Sequence, residues 1–282
     1  MTTYAITGAS GQLGSLAADL LLQQVDGSDV VLLSRTPETL ADRFPGATVR
    51  AADFDRPETL AEAFAGVDEL LVVSTDAVGA RVEGHRNAVA AAAQAGVRRV
   101  LYTSLAGLTP DNPAGVVADH LATEEIVRAS GLRWTMLRNA LYADMQAGTI
   151  EQAAATGSLV TNTGTGGSAY VSRADCAAAA VAALLSTEVD DVALDVTGPQ
   201  AVTADDLADL AAARRGSEVE VVRVDDEAYA AGLVGAGLPA EVAGLLASFG
   251  TSIREGHADE VTSAVEDLTG RAPRPLAEVV GA

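Results

Sequence analysis

Three glycines at three-residue intervals, Gly8, Gly11 and Gly14, separate a short apolar run (residues 4–7) from a stretch with helical spacing (residues 12–24). A strand that turns straight into a helix across such a loop commits the chain to layered α/β packing. In Thr7-Gly8-Ala9-Ser10-Gly11-Gln12-Leu13-Gly14, Gly8 suits a tight turn and Gly11 lets backbone N–H groups approach a pyrophosphate. Gly14 permits close contact between helix and strand. The new helix brings unpaired N–H groups and a partial positive charge to the same place. The spacing is one residue wider than the usual GxGxxG dinucleotide fingerprint. Gly8, Ala9, Ser10, Gly11, Gln12 and Leu13 are thus candidate contacts for a dinucleotide.

The next 130 residues repeat the strand–helix alternation. Residues 30–34, 48–52, 69–74, 99–104 and 133–138 read as strands, and 58–64, 84–95 and 119–130 as helices. Pro37 suits a helix start and Gly96 a helix end. The run 69–74 is apolar through its middle, as expected of a parallel strand covered on both faces. Such alternation predicts an α/β fold: a doubly wound, Rossmann-like parallel sheet. Beyond Asn139 the rhythm loosens. Residues 143–155 and 174–185 read as helices, 157–167 as a loop or hairpin, and 192–196 and 219–224 as strands, with two or three helices in the tail. Residues 1–140 are expected to form the nucleotide-binding domain. Residues 141–282 are expected to form a smaller α+β lobe that partly returns to it.

The residue after the second strand bears on the choice of nucleotide. NAD-binding chains place a carboxylate there for the ribose 2′-hydroxyl, whereas this one has Ser34 and Arg35. The chain carries a net charge of −21. A charged hydrogen bond is worth roughly 1.5–3 kcal/mol, and diffuse repulsion is screened beyond about 8 Å. Arg35 thus points to the 2′-phosphate of NADPH. The same acidity disfavours a nucleic-acid partner, which needs a basic footprint. No uninterrupted apolar run is long enough to span a bilayer, and no cationic segment precedes an apolar one at the start. A cytoplasmic protein with no membrane partner is expected. A second copy of the chain remains open as a partner.

All 18 basic residues are arginine. Without lysine, the Tyr-x-x-x-Lys pair of ordinary short-chain dehydrogenases, Schiff-base chemistry and a P-loop kinase site are all excluded. The single cysteine, Cys176, allows no internal disulfide, and His85, His120 and His257 lack metal-ligand spacing, so no metal is expected. Loops at the C-terminal ends of parallel strands carry the ligand in such sheets. Here they hold Ser74, Thr75 and Asp76, then Ser104, then residues 139–144. His120, at the start of a helix, is a candidate proton donor or carbonyl-orienting group. His85 reads as structural and His257 as exposed.

Taken together, Thr7 to Gly14, Ser34-Arg35-Thr36-Pro37, His85-Arg86-Asn87, Tyr102-Thr103-Ser104 and Leu137-Arg138-Asn139 resemble the NmrA-like, atypical short-chain dehydrogenase/reductase family. Asp119-His120-Leu121-Ala122-Thr123-Glu124 and Ser172-Arg173-Ala174-Asp175 match its subgroup of NADPH-dependent type-2 quinone oxidoreductases and triphenylmethane reductases. The likeness covers nearly the whole chain and is loosest beyond Ser217. It implies direct hydride transfer from NADPH to a small quinone-type acceptor without a Tyr/Lys pair. It also implies nucleotide contacts at residues 8–13, Arg35, Ser74, Thr75 and Asp76, at Asn139, Tyr142 and Asp144, and at Arg173 from the second lobe. Ser104, His120 and Tyr142 are the expected catalytic groups. An NADP-sensing regulator without turnover, or a reductase of dyes or other conjugated carbonyls, remains the alternative. Ala140-Leu141-Tyr142 departs from the family pattern after Asn139, which leaves the acceptor's identity open.

Overall fold

The computed structural model describes residues 1–281. Its first half follows the expected alternation: β1 (Tyr4–Ile6), α1 (Gln12–Leu21), β2 (Val30–Ser34), α2 (Glu38–Ala41), β3 (Thr48–Ala51), α3 (Leu60–Ala63), β4 (Glu69–Val72), α4 (Arg81–Ala95), β5 (Arg99–Leu105), α5 (Val117–Arg128) and β6 (Arg133–Asn139). The second half adds α6 (Gln146–Thr156), β7 (Ser158–Thr161), β8 (Gly167–Ser168), α7 (Arg173–Leu185), β9 (Val192–Val196), β10 (Val202–Thr203) and α8 (Ala204–Arg215). It ends with β11 (Glu220–Arg223), α9 (Asp226–Gly235), α10 (Ala240–Arg254), α11 (Ala264–Thr269) and α12 (Leu276–Val280).

Seven strands form one parallel sheet in the order β3-β2-β1-β4-β5-β6-β9. The order reverses between β1 and β4, which makes the crevice above that pair the expected ligand site of a doubly wound fold. Side chains alternate across the sheet with period two. Ile6, Leu32, Leu71, Leu101 and Leu137 face a core shared with α1 and α7. Ala5, Val31, Leu70, Val100 and Met136 face the opposite core beneath α3, α4 and α5. Buried on both faces, these strands are near-continuous apolar runs, which is why they stand out in the sequence.

Residues beyond 140 serve two cores. α7 packs its alanine-rich face on α1, and β9 extends the main sheet. α6, β7, α8 and α12 enclose a separate cluster built on Ile150, Leu159, Leu207 and Leu276. The segment 157–167 differs from the expected loop or hairpin. Its strand β7 pairs in parallel with β11 some sixty residues later, across the α8 crossover. A parallel partner is never adjacent in sequence, so local composition carries no sign of it. The tail holds four helices rather than two or three, because α11 and α12 have only six and five residues and show too little periodicity to be read.

Candidate active site

The carboxyl ends of β1, β2, β4 and β5 open into a cleft of about 1230 Å³, closed on the other side by α6, α9 and α10. Single-ligand pockets usually span about 300–1,000 Å³. This space accommodates a dinucleotide and a second molecule together.

Its floor is the glycine loop. Gly8 has φ +61°, a left-handed conformation that favours glycine, and its carbonyl accepts the Gly11 N–H at 2.9 Å. A Cβ on Gly14 would overlap the Gly8 carbonyl and crowd Ala9. Gly14 is therefore the glycine that brings helix against strand. The Gly11 N–H is used inside the loop, so the amides offered at the start of α1 are those of Gln12 and Leu13. The Ser10 hydroxyl lies 2.9 Å from that of Ser34, tying the loop to the end of β2. Beside it, exposed Arg35 lines the cleft and makes no hydrogen bond or ion pair among the described residues. A turn that only glycine permits, open amides at a helix start and an unpaired guanidinium fit a dinucleotide with a phosphorylated ribose.

Of the residues expected from sequence, Gly8, Ser10, Gly11, Gln12, Leu13 and Arg35 line this cleft. Ser74, Thr75 and Asp76 do so from the end of β4, and Ser104, His120, Asn139, Tyr142 and Arg173 complete the wall. Two expected contacts, Ala9 and Asp144, are not among the lining residues. Ala9 is fully buried in the core and gives its N–H to the Leu33 carbonyl. Asp144 accepts the Arg173 N–H at 2.8 Å and lies 4.0 Å from the guanidinium, which in turn sits 4.6 Å over the Tyr142 ring. Asp144 thus helps to position Arg173.

Ser104 also departs from its expected role as a donor. Its hydroxyl gives its proton to Glu124 Oε1 at 2.7 Å. Glu124 is wholly buried and accepts three further bonds: Arg138 Nε at 2.9 Å, Arg138 Nη2 at 2.8 Å and Arg128 Nη2 at 2.7 Å. Burial alone would raise this carboxyl, but the Arg138 fork, Ser104 and Arg128 hold it below the usual glutamate range. With its four acceptor sites filled, Glu124 neither takes nor gives a proton.

His120 is different. Its Nδ1 lies 2.9 Å from the Tyr102 hydroxyl, while Nε2 has no partner among the described residues and the ring lines the cleft. Burial, together with the neighbouring Arg81 cation and His85, pushes its pKa down to about 3, against the pull of Asp119 and Glu124. His120 is a neutral imidazole at physiological pH. His85 is fully buried and structural, as expected: Nε2 accepts the Thr75 N–H at 3.2 Å and Nδ1 lies 3.0 Å from Thr123 Oγ1. Burial and Arg81 push it to about 4. His257, expected to be exposed, is half-buried. Burial also raises the Tyr142 phenol above the ordinary tyrosine value, so it keeps its proton.

A sequence model of NAD(P)H-binding proteins matches residues 8–187. This chain belongs to that NAD(P)H-binding family. Quinone oxidoreductase 2 of Escherichia coli K12 is 34% identical over 278 residues, spanning 98% of this chain and 96% of that protein. The crystal structure of Escherichia coli NADPH-dependent quinone oxidoreductase complexed with NADPH superposes with a TM-score of 0.95, at 32% identity and 99% coverage of both chains. Citrobacter sp. triphenylmethane reductase complexed with NADP(H) gives 0.90, at 33% identity and 99% coverage of both. The NmrA-like resemblance and the Rossmann-like fold expected from the sequence are thereby borne out.

Within this family cleft, several residues went unnoticed in the sequence. Asp53 and Phe54 line it just beyond β3; the rule that places ligands at strand ends would have found them. Arg81 lines it from the first turn of α4, and no local pattern marks it. Tyr229 and Leu233 of α9 and Phe249 of α10 form the far, more apolar wall, and only the tertiary fold brings them there. No helix among the described residues is long and apolar enough to cross a membrane.

Proposed function

We propose that this protein is an NADPH-dependent oxidoreductase that reduces a small quinone-type acceptor, or a dye of similar electron demand. The carrying observation is the pairing of the Gly8–Gly14 loop and Arg35 with a neutral, cleft-facing His120 at the other end of one continuous cleft. The relatives named above, a quinone oxidoreductase and a triphenylmethane reductase, support the choice of acceptor. The loop amides and Arg35 would hold the pyrophosphate and the 2′-phosphate, with Arg173 over Tyr142 on the opposite side. When bound, NADPH supplies a hydride.

The chain's own residues orient the acceptor and stabilise negative charge on its oxygen. A good hydride acceptor needs mainly alignment, which can replace much of the barrier. The developing oxyanion would meet a His120 Nε2–H and the protonated Tyr142 hydroxyl. Glu124, His120 and Tyr142 all keep their protonation states at neutral pH, so the proton that completes the hydroquinone comes from water. The buried, unpaired Cys176 suits a reducing compartment, and with this reading goes a cytoplasmic site of action.

The test is the loss of NADPH absorbance with a panel of quinones and triarylmethane dyes. Turnover with at least one acceptor, at about 1–1,000 per second, is expected. Tight NADPH binding with no oxidation by any of them would leave a nucleotide sensor instead. The pH profile adds a second check. An ordinary histidine titrates near 6.5, whereas His120 stays neutral down to about 3. The acceptor kcat/KM should therefore show no limb near pH 6.5 in the wild type.

A further inference from the structure

Hydrogen bonds made by a fixed cation run in one direction only, and that direction decides what Ser104 offers a ligand. Arginine donates and does not accept. Glu124 of α5 is wholly buried and takes both arms of the Arg138 fork from β6, at 2.9 and 2.8 Å, and the Arg128 guanidinium of its own helix at 2.7 Å. Burial pushes the carboxyl up, but these cations and the Ser104 hydroxyl hold it below the usual glutamate range. Glu124 is therefore ionised and only accepts. The 2.7 Å bond between Ser104 Oγ and Glu124 Oε1 carries the serine proton.

A hydroxyl has one proton and two acceptor lone pairs. With its proton directed at Glu124, Ser104 has none left to donate. Its oxygen keeps both lone pairs and receives no hydrogen bond among the described residues. Ser104 is only 5% exposed, and it lines the cleft at the carboxyl end of β5. The carboxylate beyond its O–H polarises that bond and makes Oγ a stronger acceptor than the oxygen of a free serine. A buried acceptor left without a donor costs free energy. Such a position separates ligands that bring a donor from ligands that do not.

We infer that Ser104 is an acceptor-only contact of this cleft and recognises an N–H or O–H group on the bound ligand. The inference deepens the proposed function and rests on the reading of the cleft as the seat of a nicotinamide coenzyme and its acceptor. Two ligands would bring such a group there: the coenzyme, through the carboxamide N–H2 of its nicotinamide, and an acceptor that carries an amino or hydroxyl substituent on its ring. A bare carbonyl oxygen or a developing oxyanion would meet a lone pair at Ser104 and turns away from it. Ser104 thus sets which edge of a ligand faces β5, a role opposite to that of a hydroxyl that donates to the reacting oxygen.

The test is binding of paired ligands in which a methyl replaces an N–H2 of the same size, read by titration calorimetry on the full-length chain. One pair is NADP⁺ and its acetylpyridine analogue, which lacks the carboxamide N–H2. The other is the amino counterpart of menadione and menadione itself, added to protein saturated with NADP⁺, which has no hydride to give. In at least one pair the wild type should favour the N–H2 member about three- to tenfold, and Ser104→Ala should bring that ratio to within about twofold of unity. The pair that responds tells whether coenzyme or acceptor meets Ser104. Comparing one ratio between two proteins cancels the electronic difference between the ligands. A merely structural role would weaken both members of a pair alike and leave the ratio where it was. Ser104→Ala keeps the arginine bonds of Glu124, so the fold should survive it. A wild type without preference in either pair, or a preference that Ser104→Ala leaves unchanged, would overturn the inference while the proposed function stands. NADP⁺ that fails to bind the wild type at all would overturn both.

Discussion

The two ends of the cleft are built on opposite plans. At the nucleotide end the shape is backbone: Gly8 at φ +61°, Gly14 pressed on the Gly8 carbonyl, and open amides at the start of α1. At the opposite wall, the proposed place of the acceptor, it is side chains on α9 and α10, brought in from more than 200 residues along the chain. α9 buries none of its residues. One tether holds its start: Asp226 takes the Arg254 fork at 2.8 and 2.9 Å and the Asn162 amide at 2.7 Å. Backbone shape tolerates almost no change and recognises a constant ligand. A lightly anchored helix can change its side chains without disturbing the sheet. One fold can thus keep its cofactor while the acceptor wall varies, and the two ends should fail in different ways when altered.

The sharpest way to break the contrast is at Gly14. Gly14→Ala would ordinarily stabilise a helix by up to about 1 kcal/mol. Here the new methyl meets the Gly8 carbonyl and the Ala9 Cα, so the loop must shift. A loss of about 1–3 kcal/mol in stability is expected, with NADPH affinity falling about 100-fold or more by titration calorimetry. A variant that binds NADPH as well as the wild type would mean that backbone geometry does not govern this end. Next in size is Arg35→Asp, which replaces the cleft-lining guanidinium proposed to distinguish the nucleotides. Losing a charge-assisted bond of about 1.5–3 kcal/mol should weaken NADPH about 10- to 100-fold and NADH much less. An unchanged preference in paired titrations would remove Arg35 from the site.

The same contrast explains how much was legible in the sequence. Glycine spacing records a backbone requirement directly, and Gly8, Gly14 and the period-two strands were readable for that reason. Arg35 was readable because it follows a strand whose end is clear. Adjacency to a motif does not say which way a side chain points. Ala9 turns into the core and Asp144 toward Arg173. Ser104 sits where expected, but its proton belongs to Glu124, a partner visible only once β5 lies against α5. The acceptor wall was hidden altogether. Its residues share no spacing, and β7 gains its partner β11 only across a crossover.

The smallest effect should come from that wall. Leu233 lies in the middle of α9, half-buried, with its side chain on the cleft. Cutting it to alanine removes part of a leucine's apolar contact, worth about 1 kcal/mol when the burial is partial. Leu233→Ala should therefore raise the acceptor KM about three- to tenfold while leaving NADPH affinity and kcat within about twofold. Because α9 contributes nothing to either core, the melting temperature should barely move. A change in NADPH affinity as large as the change in KM would mean that the two ends are one rigid unit, and the contrast between backbone and side-chain recognition would fall. A change confined to KM would place the acceptor against α9 and make Tyr229, four residues earlier on the same helix, the next position to alter.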